Sequence, residues 1–110
     1  MIGAILGDIV GSRFEFKPHK SEKFEFLTDE CRFTDDTVLT VATADAILNQ
    51  KPEKQCYLKW GNKYPNAGYG ERFKRWLETE TCPPCNTHGY NSFGNGSAMR
   101  VSPLVGYTET

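Results

Sequence analysis

Charge of either sign is nearly absent as a net quantity in this 110-residue sequence: 13 Lys and Arg oppose 14 Asp and Glu, giving a formal charge of −1 and a pI of about 6.1. Without a positive field nothing draws in nucleic acid or an anionic membrane, so a phosphate-bearing ligand has to be held by local groups. Long apolar runs are missing too, since a bilayer-spanning helix needs roughly 20 apolar residues in succession. The opening Met1-Ile2-Gly3-Ala4-Ile5-Leu6-Gly7-Asp8 carries an acid where a secretion signal carries basic residues. The expectation is a soluble, cytoplasmic protein with no membrane partner and no direct nucleic-acid partner.

Cysteine is too sparse for a disulfide scaffold, with Cys31, Cys56, Cys82 and Cys85 alone, and reduced thiols are expected. Cys82-Pro-Pro-Cys85 has the spacing of a zinc or redox pair. A closed zinc site needs four ligands, however, and a redox pair opens a helix beside a strand, so this segment reads as a proline-stiffened surface loop. Repeats, low-complexity tracts and interdomain linkers are also lacking. A chain of this length suits one domain that buries roughly two-thirds of its unfolded surface.

What is present is helical periodicity. Ile2, Ile5, Leu6, Ile9 and Val10 form the stripe of a helix with one buried face, and Gly3, Gly7 and Gly11 make a bare strip for close approach of another backbone or a ligand. Asp8 and Glu15, seven apart, fall near one face of that wheel. Residues 16–33 show no sustained period and read as a loop with a short extended piece. From Asp36, the apolar positions Val38, Leu39, Val41, Ala42, Ala46, Ile47 and Leu48 describe a second helix to about Asn49, with Thr34 as N-cap. Pro52 suits the first turn of a third, striped by Cys56, Tyr57, Trp60 and Tyr64 and stopped by Pro65. Phe73, Trp76 and Leu77 mark a fourth. A loop over 80–96 precedes another helix from Ala98, interrupted near Pro103. The fold class expected is all-α, an orthogonal and loop-rich helical array.

Thr34-Asp35-Asp36-Thr37 packs two carboxylates and two hydroxyls into four positions, a donor set suited to a hard cation such as Mg²⁺, although a capped first helical turn has the same composition. Asn91-Ser92-Phe93-Gly94-Asn95-Gly96-Ser97 precedes a helix, where free backbone N–H groups suit an anion and Phe93 offers a face to a base or sugar. An ordinary capped loop fits that string as well, and Arg100 suits a surface or buried ion pair.

Taken in order, Gly7-Asp8-Ile9-Val10-Gly11-Ser12-Arg13-Phe14-Glu15, Phe33-Thr34-Asp35-Asp36-Thr37, Gly68-Tyr69-Gly70 and Gly94-Asn95-Gly96-Ser97-Ala98-Met99-Arg100 resemble successive signatures of the ADP-ribosylglycohydrolase family. The resemblance runs from Gly3 to about Pro103. It implies an all-α fold with two Mg²⁺ ions, Mn²⁺ in some members, beneath a cleft for ADP-ribose. By that resemblance Thr34, Asp35 and Asp36 are metal ligands, and Glu15 joins Asp35 and Asp36 as a catalytic residue that orients or deprotonates water or assists the leaving group. Gly68, Tyr69 and Gly70 match one ligand loop. Tyr90, Asn91, Ser92, Phe93, Gly94, Asn95 and Gly96 match another along the diphosphate and distal ribose. Asp8 matches a position taken as structural.

The family completes its metal site with a later Asp-x-Asp-Thr, whereas Asp45 is the sole aspartate here beyond Thr37. The chain is therefore expected to be the N-terminal part of a longer domain or a shortened relative. ADP-ribose or an ADP-ribosylated protein is the expected substrate, and a non-catalytic binding or structural module is the rival reading. As a truncated domain, the chain is also expected to self-associate through apolar faces left bare on helices 36–49 and 53–64.

Overall fold

The computed structural model describes residues 1–79 and 99–104. The loop over 80–96, with Cys82, Cys85 and the ligand segment Tyr90–Gly96, lies outside the described residues. The helices are α1 (Ile2–Gly11), followed by a 3₁₀ turn (Ser12–Phe14), α2 (Asp35–Leu48), α3 (Glu53–Lys63) and α4 (Glu71–Thr79), with no strand among the described residues. The all-α expectation holds, and the extended piece within 16–33 is replaced by bends and turns.

Helix α2 is the axis of the fold. Thr34 caps it with extended backbone, its side-chain oxygen accepting from the Asp36 N–H at 3.3 Å, while Asp35 and Asp36 oppose the positive end of the helix dipole. Val38, Leu39, Thr40, Ala42, Thr43, Ala44 and Ala46 are all buried, so α2 is covered around most of its circumference. Its buried hydroxyls are satisfied locally: Thr40 donates to the Asp36 carbonyl at 2.7 Å and Thr43 to the Leu39 carbonyl at 2.8 Å. At the far end Gln50 takes a positive φ of 52°, and the Lys51 N–H returns to the Ala46 carbonyl at 3.0 Å, the closing bond of a Schellman cap.

Small residues let α3 lie close against α2. Ala42, Ala46 and Cys56 form one cluster with Tyr57 and Trp60 packed on it. Asp45, the aspartate left over by the sequence motifs, ties the two helices by accepting from Trp60 Nε1 at 2.9 Å and Lys59 Nζ at 3.3 Å. Those contacts, with the Trp60 bond foremost, hold its carboxyl down at about 2. Helix α4 adds a second cluster, where Leu77 and Phe73 meet Val38, Leu39 and Tyr69 with Tyr57 and Trp60 of α3 packed on it.

Two expectations are corrected. The apolar stripe of α1 is buried only in part: Val10 is buried and Ile5 and Ile9 are half-buried, whereas Ile2 is 81% and Leu6 40% exposed. Conversely, the apolar faces expected to be bare on helices 36–49 and 53–64 are largely covered, because α2 and α3 pack on each other and Phe73 and Leu77 of α4 pack on both; Leu48 at the end of α2 and Tyr64 at the end of α3 remain exposed. Periodicity reveals that a helix has an apolar face but not what covers it. The sequence stretch after Ala98 shows helical backbone at Met99 and Leu104 with turns between them, in keeping with an interruption near Pro103. No helix among the described residues is long and apolar enough to cross a membrane.

Candidate functional site

The first turn of α2 is where the separate motifs meet. From α1, Asp8 reaches across 26 residues of chain and accepts four hydrogen bonds: from Thr34 N–H at 2.7 Å, Thr34 Oγ1 at 2.5 Å, Thr37 N–H at 3.3 Å and Thr37 Oγ1 at 2.6 Å. The carboxylate thus ties the N-cap Thr34 and the first-turn Thr37 together, adding to the bond that the Thr37 N–H makes to the Thr34 carbonyl at 3.1 Å. Through these bonds Asp8, whose position the resemblance took as structural, fixes the height of α1 on α2.

The Ala67 carbonyl comes from the other side and accepts the Asp35 N–H at 2.8 Å. This bond lays the loop that contains Gly68, Tyr69 and Gly70 against Asp35. Gly68 has φ of +99°, a conformation that L side chains rarely adopt, and a Cβ there would stand 3.9 Å from Asp35 Oδ1. Tyr69 turns inward: it is 9% exposed, packs in the core, and its hydroxyl donates to the Tyr64 carbonyl at 2.9 Å. Burial, and then the nearby Asp35 charge, raise that phenol to about 12. What the loop offers a ligand is therefore its backbone and Gly68, since the Tyr69 ring is committed to the core.

Glu15 and Arg100 complete the setting. The helical wheel that joined Glu15 to Asp8 breaks at Gly11, yet Glu15, just past the 3₁₀ turn, stays near enough that its charge and that of Asp8 both act on Asp35 and Asp36. Glu15 is solvent-exposed, whereas Asp35 and Asp36 are half-buried. Asp35 is pushed up to about 6, chiefly by burial and then by the Asp36 charge, with the Thr34 side chain opposing and Glu15 and Asp8 adding. Asp36 is raised by burial first, then by Asp8 and Glu15, and is partly relieved by Arg100. The Arg100 guanidinium lies over the Tyr57 and Phe73 rings at 5.4 and 5.7 Å, and the Met99 carbonyl approaches Thr40 Oγ1 at 3.5 Å. The end of the last sequence motif is thereby fastened to α2 beside Asp36.

The family model of ADP-ribosylglycohydrolase matches residues 1–109. The chain belongs to the ADP-ribosylglycohydrolase family. Among relatives, it is 27% identical to the ADP-ribosylhydrolase ARH3 of Danio rerio and 28% identical to a putative ADP-ribosyl glycohydrolase of Acanthamoeba polyphaga mimivirus. Both alignments cover 96% of this chain, which spans 35% and 39% of the respective relatives. No solved structure matches.

Set within that family, the site has the donors for a hard cation in Thr34, Asp35 and Asp36, all oxygen, with two carboxylates that repel each other and would be relieved by a divalent ion. Among the described residues, no three His, Cys, Asp or Glu side chains converge as an ion cage. The donor chemistry of these residues fits a hard cation.

Two residues play other parts than the sequence suggested: the Thr37 hydroxyl, expected among the donors of the acidic cluster, gives its proton to Asp8 at 2.6 Å, and Arg100 lies over aromatic rings beside Asp36.

Proposed function

We propose that this chain supplies the first part of a metal-assisted site that hydrolyses the glycosidic bond of an ADP-ribosyl group on a protein side chain or small acceptor. The observation that carries the reading is the convergence of Asp8, Glu15, the Gly68 turn and Arg100 on the half-buried pair Asp35 and Asp36. Thr34, Asp35 and Asp36 would hold Mg²⁺ or Mn²⁺, of which the family site takes two. A bound ion would polarise ribose hydroxyls and lower the pKa of water.

The chain's own groups have distinct tasks. Glu15, exposed and next to the ion-binding pair, orients or deprotonates the attacking water or assists the leaving group, in the carboxylate logic of glycoside hydrolysis. The backbone of Gly68, Tyr69 and Gly70 borders the substrate, and Tyr90, Asn91, Ser92, Phe93, Gly94, Asn95 and Gly96 are assigned to the diphosphate and distal ribose. Cys31 and Cys56 as free thiols suit a reducing cytoplasm. The test is release of ADP-ribose from ADP-ribosylated arginine or serine peptides, with and without Mg²⁺. Metal-stimulated release is expected. Metal-linked binding of ADP-ribose without turnover would replace the enzyme with a binding relative.

A further inference from the structure

We propose that Asp8 is a positioning residue for the cation: by taking the Thr34 hydroxyl proton, it keeps an oxygen lone pair of Thr34 turned toward the ion held with Asp35 and Asp36. The proposal rests on the metal-site reading above and adds a residue that acts through another rather than by touching the ion.

The argument is one of hydrogen-bond inventory. A threonine hydroxyl has one proton and two lone pairs. The proton goes to Asp8 Oδ1 at 2.5 Å, and one lone pair accepts the Asp36 N–H at 3.3 Å. One acceptor direction remains, which is what a cation ligand requires. A second carboxylate, Asp35, is the next residue in the chain and is the alternative acceptor for the same proton. If the proton turned to Asp35, one bond would spoil two ligands. Asp8 decides that competition because it is an acceptor-only group already pinned by the Thr37 hydroxyl at 2.6 Å and by two backbone N–H groups.

An amide at this position cannot reproduce the arrangement. With its NH₂ toward Thr34 Oγ1 it forces that hydroxyl to accept, turning the proton outward against the ion. With its NH₂ toward the other end it confronts the three donors now on Oδ2. Outer-shell partners of this kind commonly change metal affinity about 10- to 100-fold.

The test is a Mn²⁺ titration of the 110-residue chain, read as paramagnetic broadening of the Thr34, Asp35 and Asp36 amide signals, with helicity followed by circular dichroism. Asp8→Asn should raise the half-maximal Mn²⁺ concentration at least about 10-fold at unchanged helicity. Asp8→Glu should do the same, because it keeps the charge but displaces the carboxylate by a methylene. Thr34→Val should weaken binding, and adding Asp8→Asn to it should cost nothing further, since Asp8 acts through that hydroxyl. Three results would overturn the proposal: Asp8→Glu binding like the unaltered chain, Asp8→Asn and Thr34→Val multiplying in full, or lost helicity in both Asp8 variants. Failure of the unaltered chain to show localised broadening would overturn the metal reading as well, so the two failures are distinguishable.

Discussion

At the scale of single residues the site stores unfavourable charge. Asp35 titrates at about 6 in the folded chain against an ordinary 3.8, so the folded state holds its proton more tightly than the unfolded state does. By linkage, stability from this group is fully present below pH 3.8 and is lost as the pH rises through about 6. Asp36, raised for the same reasons, adds to the same slope. Asp45 works in the opposite sense: held at about 2, it contributes stability above 3.8 that is lost as the pH falls toward 2. Denaturant midpoints in the absence of divalent ions should therefore decline from near pH 4 toward pH 7, and Asp35→Asn should flatten that decline and raise the midpoint at pH 7. A midpoint that climbs steadily to pH 7 in the unaltered chain would remove the claim. The backbone beside the pair is also selected residue by residue. Gly68→Ala meets no steric contact closer than 3.9 Å but must hold φ at +99°, so it should cost about 1–2 kcal/mol in urea unfolding, through conformation alone.

At the scale of elements, packing determines what periodicity leaves open. Helices α2, α3 and α4 were legible because each signal is local: Thr34 before two aspartates, Pro52 ahead of an aromatic stripe, an apolar trio in residues 73–77. The Asp8 clamp was not legible, because its partners stand 26 and 29 residues away and depend on α1 crossing the start of α2. The α3–α4 crossing shows the same dependence. A Cβ on Gly61 would come within 2.6 Å of Leu77 Cδ2 and 2.9 Å of Cδ1, and Leu77 is itself buried. Overpacking of this kind costs about 1–3 kcal/mol against about 1 kcal/mol gained from replacing glycine in a helix. Gly61→Ala should thus destabilise by about 1 kcal/mol in urea titrations. In a Leu77→Ala background the obstruction is gone and the same change should stabilise; an unchanged sign would mean that Leu77 is not what limits the crossing.

At the scale of the whole molecule, apolar surface lies where the sequence did not suggest it. Ile2 and Leu6 on α1 remain exposed, and Phe24 and Phe26 share with Leu6, Gly3, Gly7 and Gly11 the walls of an open groove of about 370 Å³. None of the three glycines would bring a Cβ within 4 Å of another group, so this strip has room for a closely approaching backbone. Asp8, Thr34 and Thr37, which join α1 to the first turn of α2, are not among the residues that line this groove. Contiguous apolar surface flanked by charged chain favours association. The 110-residue chain should show a mass by light scattering that rises with concentration, driven from α1 and not from the α2–α3 pair. Leu6→Glu with Phe26→Ser should return it to a constant monomer mass, because both substitutions act on exposed side chains of the groove. Leu48→Glu, on the exposed end of α2, should leave association unchanged. A monomer mass at all concentrations in the unaltered chain, or rescue by Leu48→Glu alone, would place the self-adhesive surface elsewhere or deny it altogether.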